Sequence, residues 1–172
     1  MDVCLNATDM LMAVHHAAVI NGVKTLQLSK GEVRNNRISD QGDFAIHLAG
    51  MMGEIAVSKF LGFELRTDVT HGGDGGSDMQ VNGQSIQIKT STHSTTPLPR
   101  LMIFNSIDDF STDWAILCSI QGVCVVRLHG FISKRKFATK VVTHNFGYGE
   151  RYCVAEEHLT QIERFHEAFS KT

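Results

Sequence analysis

Polar and apolar residues alternate most clearly in two short runs that flank Asn82-Gly83. Asn-Gly is the strongest short hairpin signal, because both central residues of a type I′ turn need a positive φ. With these two residues in the turn, Val81 pairs with Gln84 and the residues before and after them follow in register. The pattern therefore predicts a tight β-hairpin.

The register of this hairpin sets polar side chains opposite one another. Counting back from the turn pairs Met79 with Ile86 and Asp78 with Gln87, and side chains alternate between the two faces of a strand. Asp78, Gln87 and Lys89 then share the polar face. Opposed residues have Cβ atoms about 4.5–5.5 Å apart, so Asp78 and Gln87 can contact one ion. An ordinary amphipathic surface hairpin has the same alternation.

Upstream, residues 43–61 carry the apolar stripe of a helix. The stripe consists of Phe44, Leu48, Met51, Met52, Ile55 and Phe60. Gly62 follows, where a C′ glycine ends many helices, and Gly50, Gly53 and Ala56 keep the helix slim enough for a close neighbour. Glu54 lies at the edge of the stripe, and a covered carboxylate needs a partner or a metal. The alternative is a half-exposed glutamate paired with Lys59 or Arg66.

The remaining periodicity predicts further helices and strands around these two elements. Helices are expected at 8–20, from Ser133 onward and at 156–170, and strands at 63–69, 101–104, 114–120, 123–128 and 151–154. The strand from Trp114 is almost wholly apolar, as expected of a strand buried on both faces. Together, these helices and strands predict one α/β domain over residues 1–172, with a mixed central sheet flanked by helices.

A helical Glu54, an Asp78 that opens a hairpin strand and Gln87-Ile88-Lys89 on the next strand occur in the order of the PD-(D/E)XK nuclease superfamily. The chain resembles phage-encoded members of that superfamily over roughly residues 43–137. The terminal helices would be additions to this core. Further similar segments are Gly50-x-x-Gly53-Glu54-x-Ala56, Lys89-Thr90-Ser91, Trp114–Leu117 and Val126–Ile132. The resemblance implies a restriction-endonuclease-like fold.

The same resemblance implies a Mg²⁺- or Mn²⁺-dependent endonuclease that hydrolyses DNA phosphodiester bonds. Glu54, Asp78, Gln87 and the carbonyl of Ile88 would hold the metal, and Lys89 would act beside the attacking water. Most members have Asp or Glu at the position of Gln87, although Gln-x-Lys occurs in the branch similar to Mrr-type restriction enzymes. A neutral amide binds hard cations more weakly than a carboxylate.

Two other functions fit the same residues. One is a non-catalytic nucleic-acid-binding protein that retains the nuclease fold, for which Gln87 is the best argument. The other is a structural or regulatory protein in which Glu54 and Lys89 form an ion pair. Metal-dependent cleavage separates the enzyme from both alternatives.

The charge distribution indicates where DNA would lie. The net charge is only −2, but no acidic residue occurs between Trp114 and Gly149, a range that holds five basic residues. Phosphate attraction dominates nucleic-acid affinity, so we expect Lys134, Arg135 and Lys136 to contact DNA, together with the Ser91 hydroxyl. A solvated helix face would explain the same three charges.

The composition, with 42% hydrophobic and 20% charged residues, is that of an ordinary soluble domain. Neither 18 consecutive apolar residues nor a secretory signal is evident, which predicts a cytoplasmic protein without a membrane partner, in the host cytoplasm if it is phage-encoded. The four cysteines form no Cys-x-x-Cys pair and are expected to be reduced. His71 and His93 are minor site candidates, Asp74 is a candidate outer-shell ligand, and the terminal helices could pair two copies as a homodimer.

Overall fold

The computed structural model describes residues 1–29, 43–63, 65, 77–92, 101–145 and 149–169, and its architecture is mixed α/β. The helices are α1 Ala7–Ser29, α2 Asp43–Leu61, α3 Lys134–Lys140 and α4 Phe165–Phe169, with 3-10 turns at Glu156–His158 and Ile162–Arg164. The strands are β1 Asp2–Cys4, β2 Met79–Val81, β3 Gln84–Ser91, β4 Leu101–Phe104, β5 Trp114–Ile120, β6 Val125–Ser133, β7 Val142–Asn145, β8 Glu150–Ala155 and β9 Thr160–Gln161.

Two sheets organise these strands. The central, curled sheet has the order β1-β6-β5-β3-β2, with β9 also paired to β6. Its strands are antiparallel except for β3 and β5, which run parallel and make the sheet mixed. The second sheet is antiparallel with the order β4-β8-β7. The predicted mixed sheet flanked by helices is confirmed.

The central sheet separates two apolar clusters. On the face that α2 covers, here the α2 face, Ile86, Ile88 and Ile116 pack with side chains of the helix. On the opposite face, here the Lys89 face, Leu117 and Ala115 pack with aromatic residues of the second sheet and α3. Because β5 has an apolar cluster on each side, the prediction that it is buried on both faces is confirmed.

Helix α2 has the predicted bounds and ends at Gly62, whose φ of 71° is one that glycine adopts without strain. At Gly53 the helix lies so close to β3 that a Cβ would overlap the Thr90 hydroxyl. Residues Phe44–Leu61 are apolar enough to cross a membrane by length and composition, with a mean hydropathy of 1.3. Of this window 44% is buried, which is consistent with a core helix of a soluble protein.

Helix α1 corrects one sequence-based boundary. It begins after Asn6, whose side-chain oxygen caps it by accepting from the Asp9 N–H at 2.9 Å. The predicted end at Asn21-Gly22 is wrong, since the helix continues to Ser29. An interior glycine costs a helix only about 1 kcal/mol, so Gly22 alone does not end α1.

The predicted helix over 156–170 is also wrong. Two 3-10 turns, the short strand β9 and the five-residue α4 occupy this segment instead. Thr160 and Gln161 pair with Phe131 and Gly130 of β6, and this pairing competes with helix formation. The absence of a side chain at Gly130 lets β9 approach that closely.

The boundaries of the other predicted strands differ less from the prediction. Strand β6 extends five residues beyond the predicted end at Leu128, to Ser133. Strands β1, β7 and β9 were not predicted. Of the predicted strand 63–69, only Phe63 and Leu65 lie within the described residues, and neither belongs to a strand.

Candidate metal and nucleic-acid site

The hairpin has the predicted turn and register. Asn82 and Gly83 have φ values of 49° and 78°, as a type I′ turn requires. In the ladder Val81 pairs with Gln84 and Met79 with Ile86. The local sequence therefore determines this element residue by residue.

Asp78 lies just outside the ladder, and this differs from the predicted pairing with Gln87. Strand β2 begins at Met79, the Asp78 N–H donates to the Ile86 carbonyl at 3.0 Å, and Asp78 Oδ2 accepts from the Ile88 N–H at 2.6 Å. The carboxylate thus replaces the backbone acceptor that a longer β2 would supply. The N–H and C=O of a strand residue point to the same neighbour, so the Ile88 carbonyl also lies at the Asp78 edge.

Gln87 and Lys89 lie on the Lys89 face, as the alternation predicts. They are opposite Ala115 and Leu117 of β5 in the parallel register. The Lys89 ammonium is 5.0 Å from the centroid of the Phe104 ring, within the range of a cation–π contact. Gln87 Oε1 is buried and, with Thr90 Oγ1, is one of two such oxygens that lack a hydrogen-bond partner in the described part of the chain.

Glu54 is half-buried on α2, the helix that packs on the face of β3 opposite Gln87 and Lys89. Gly53 contacts Thr90, the residue that follows Lys89 on β3. Asp78 therefore contacts the β3 segment that carries Gln87 and Lys89, and the residue before Glu54 contacts the same segment from the α2 face. Within the described ranges no three His, Cys, Asp or Glu side chains form a metal-binding group. Any cation here would depend on amide and carbonyl oxygens as well as on the two carboxylates.

The predicted basic helix is confirmed as α3. Ser133 caps it by accepting from the Lys136 N–H at 3.2 Å. Lys134 and Arg135 are exposed, whereas the Lys136 ammonium donates to the Thr160 hydroxyl at 3.3 Å. The helix is anchored by the buried Phe137, whose ring lies 5.0 Å from that of Phe104. Phe104 thus contacts both Lys89 and the basic helix, which lie on the same side of the sheet.

Arg127, a basic residue outside α3, is less available to a nucleic acid than its charge suggests. Arg127 forms a two-pronged ion pair with Asp2, at 2.6 and 2.8 Å. This hydrogen bonding raises the pKa of Arg127 and lowers the pKa of Asp2, so the basic charge is already neutralised. Ser91 ends β3 and lies opposite Ser119 of β5.

A hydrogen-bonded network on the Lys89 face was not predicted. Ser119 Oγ lies 2.7 Å from His129 Nε2, and His129 Nδ1 lies 2.6 Å from Glu156 Oε1. His129 is the extra residue of a β-bulge, because Leu117 pairs with Gly130 and Cys118 with Leu128. The bulge depends on the pairing of β5 with β6, which the periodicity of either strand alone does not predict.

The network resembles a nucleophile–histidine–carboxylate arrangement but is closed to substrate. Ser119 is 0% exposed, the His129 side chain is 2% exposed, and Gln121 donates a further 2.7 Å hydrogen bond to Ser119 Oγ. An ionised carboxylate only accepts, so His129 Nδ1 donates the hydrogen bond to Glu156. Every member has a partner, as expected of a network that stabilises the bulge.

Cysteine chemistry does not contribute to the site. All four cysteines are free, in agreement with the prediction that they are reduced. Burial raises the pKa of the Cys118 thiol well above its usual range, which makes this residue inert. Asp74, His71 and His93 lie outside the described residues.

The segment 87–90 of β3 therefore carries an ammonium and a buried amide oxygen without a partner among the described residues. It has the Asp78 carboxylate at its edge and packs against the helix that carries Glu54. Hard oxygen ligands of this kind suit Mg²⁺ or Mn²⁺. No protein-family model matches the chain, and comparisons with curated proteins and with solved structures find no match either.

Proposed function

We propose that this protein is a metal-dependent endonuclease with a restriction-endonuclease-like fold, which hydrolyses DNA phosphodiester bonds. The observation that carries the proposal is a hydrogen bond at the edge of the hairpin. Asp78 reaches across to the backbone of Ile88, between Gln87 and Lys89. The Asp78 carboxylate thereby lies at the edge of β3, beside the two residues that carry an amide and an ammonium.

The donor set fits a divalent cation. The buried Gln87 Oε1 has no partner within the described chain, and leaving a buried acceptor unpaired costs about 1–3 kcal/mol. Glu54, Asp78, Gln87 and the Ile88 carbonyl would hold Mg²⁺ or Mn²⁺. When bound, the metal would polarise the scissile phosphate and lower the pKa of a water ligand.

Side chains of the protein would orient the attacking water, hold the strand edge and attract the DNA. Lys89, kept on its face by the contact with Phe104, orients the attacking water and offsets charge that develops on the phosphate. Asp78 fixes the edge by holding the Ile88 N–H. The exposed Lys134 and Arg135 attract the DNA backbone from the same side of the sheet, with the Ser91 hydroxyl and Lys136 as further contacts.

The test is cleavage of supercoiled plasmid with Mg²⁺ or Mn²⁺, with and without EDTA. Asp78→Asn should abolish cleavage but leave the fold intact, because the new amide oxygen still accepts from Ile88. Asp108→Asn, an exposed acid in another connection, is the charge-matched control and should cleave normally. Full activity of Asp78→Asn, or cleavage that survives EDTA, contradicts the proposal.

Gln87 favours a second candidate, a nucleic-acid-binding protein that kept the fold and lost the chemistry. An amide in place of the usual acid weakens metal binding. Salt-dependent DNA binding without cleavage under any metal condition would select this candidate. Loss of binding in Lys134→Ala and Arg135→Ala would then identify α3 as the contact surface.

A further inference from the structure

A pocket of about 310 Å³ opens where β6 leads into α3. Its volume is at the lower end of the roughly 300–1,000 Å³ range of small-molecule pockets. Its lining combines two aromatic rings, Trp114 and Phe131, with Thr160, Lys136, Arg164 and Glu167. A volume of this size suits a single nucleotide.

The aromatic part of the pocket is fixed in place. The rings of Trp114 and Phe131 are 5.5 Å apart, and Phe165 lies behind them at 6.4 and 4.9 Å respectively. The Trp114 indole N–H donates to Gln84 Oε1 at 2.7 Å, which sets the ring orientation. Phe131 is buried, whereas Trp114 is partly exposed. A fixed, partly exposed indole offers a surface on which a base can stack.

The rim of the pocket is cationic and can reorganise. The Lys136 ammonium donates to the Thr160 hydroxyl at 3.3 Å. Arg164 Nε lies 3.7 Å from Glu167 Oε2, and their side chains are 66% and 65% exposed. Exposed ion pairs of this kind are weak. A phosphate, which guanidinium groups bind in a two-pronged manner, can therefore displace Glu167 from Arg164.

We propose that this pocket binds a nucleotide, with the base on Trp114 and the phosphate between Lys136 and Arg164. The nucleotide comes either from free solution or from a single-stranded nucleic acid. The two aromatic rings belong to the cluster on the α2 face, whereas Lys89 lies on the other face. Binding here needs neither the metal nor the cleavage proposed above.

The test uses the fluorescence of Trp114, the only tryptophan in the chain. The full-length protein is titrated in EDTA with deoxyadenosine monophosphate, with a short single-stranded oligonucleotide, with deoxyadenosine and with inorganic phosphate. A nucleotide site requires saturable quenching by the monophosphate or the oligonucleotide. Deoxyadenosine and phosphate should each bind at least about tenfold more weakly, since each makes only one of the two contacts.

The two nucleotide ligands distinguish the source. Quenching by the oligonucleotide alone assigns a strand residue, and quenching by the monophosphate alone assigns a free nucleotide. Absence of saturable quenching by both overturns the proposal. Equal affinity for phosphate and nucleotide also overturns it, because the site would then be an anion patch without stacking.

Variants at the exposed rim test the geometry with little risk to folding. Arg164→Gln should weaken nucleotide binding about fivefold, and Glu167→Gln should strengthen it by removing the competing carboxylate. Lys24→Ala, an exposed lysine of α1, is the control and should bind as the wild type does. Unchanged affinity in Arg164→Gln would exclude this pocket as the phosphate site.

Discussion

The two faces of the central sheet differ in how they use the same strands. On the α2 face, apolar side chains of β3 and β5 pack against a helix that is close enough for Gly53 to contact Thr90. On the Lys89 face, the same strands present Gln87, Lys89 and Ser119 beside an aromatic cluster. Because side chains alternate along a strand, one sequence serves packing on one face and polar chemistry on the other.

The difference predicts that substitutions on the two faces have separable effects. A change at an apolar position on the α2 face should alter the free energy of unfolding, since only packing is lost there. A change at Gln87 or Lys89 should alter activity, with little effect on stability. Single variants on each face can test whether effects on stability and on activity are separate in this way.

The largest effect is expected at Lys89. Lys89→Met keeps the apolar stem against Phe104 and removes the ammonium, so cleavage should fall by about 10²–10³-fold. The free energy of unfolding should change by no more than about 0.5 kcal/mol, as for most partly exposed positions. Plasmid cleavage rates and urea denaturation measure the two quantities, with Lys24→Met as the control. A stability loss that accounts for the lost activity would remove Lys89 from the site.

On the α2 face the test compares alanine substitutions at two glycines of α2, Gly53 and Gly50. Gly53→Ala should destabilise the protein by about 1–3 kcal/mol, because the new methyl group overlaps the Thr90 hydroxyl. Gly50→Ala meets no atom within 4 Å and should stabilise it by about 0.5–1 kcal/mol through helix propensity. Urea denaturation of both variants measures the difference. Equal stability of the two would show that α2 is not held tightly against β3.

The hairpin illustrates what the sequence alone can determine. Its turn and register follow from Asn82-Gly83 and from alternation, both of which are local. Helix α2 could be predicted in the same way, because its apolar stripe and the glycine that follows it, Gly62, are also local features of the sequence. Asp78 shows the limit of this reasoning, since its hydrogen bond to Ile88 depends on where β2 stops.

The C-terminal segment illustrates what the sequence alone could not give. Leu159, Ile162 and Phe165 have helical spacing, but Thr160 and Gln161 pair with β6, which is distant in sequence. His129 is a second case, because the bulge that directs it toward Ser119 arises from the pairing of β5 with β6. Tertiary contacts decided both, and single-sequence periodicity contains no information about them.

Ser119 tests whether every polar group on the Lys89 face belongs to the chemistry. Ser119→Ala removes the partner of His129 Nε2 inside a nearly closed network, so it should cost about 1–2 kcal/mol of stability. Cleavage per folded molecule should be unchanged, because the serine is buried. Ser111→Ala, at an exposed serine, is the control. Loss of cleavage without loss of stability would place the network in the active site.

The smallest effect is expected at Asp113, a polar group that joins the start of β3 to the start of β5. The backbone N–H and the hydroxyl of Ser85 each donate to Asp113 Oδ2 at 2.8 Å, and they hold the pKa of this carboxyl below its usual value. A lowered folded pKa means that the ionised form contributes stability above the ordinary pKa of about 3.9. The contribution is lost as pH falls through the lowered value. Since Asp113 is exposed, it should amount to a few tenths of a kcal/mol.

The measurement for Asp113 is urea denaturation of wild type and Asp113→Asn at pH 6 and pH 3. The amide accepts the same hydrogen bonds without charge, so the wild type should be slightly more stable at pH 6, and its advantage should shrink at pH 3. Asp108→Asn corrects for the change in net charge. An advantage that grows on acidification would mean that the folded protein favours protonated Asp113. The Ser85 contact would then not stabilise the carboxylate, and the polar link between β3 and β5 would not hold the strands that present Gln87 and Lys89.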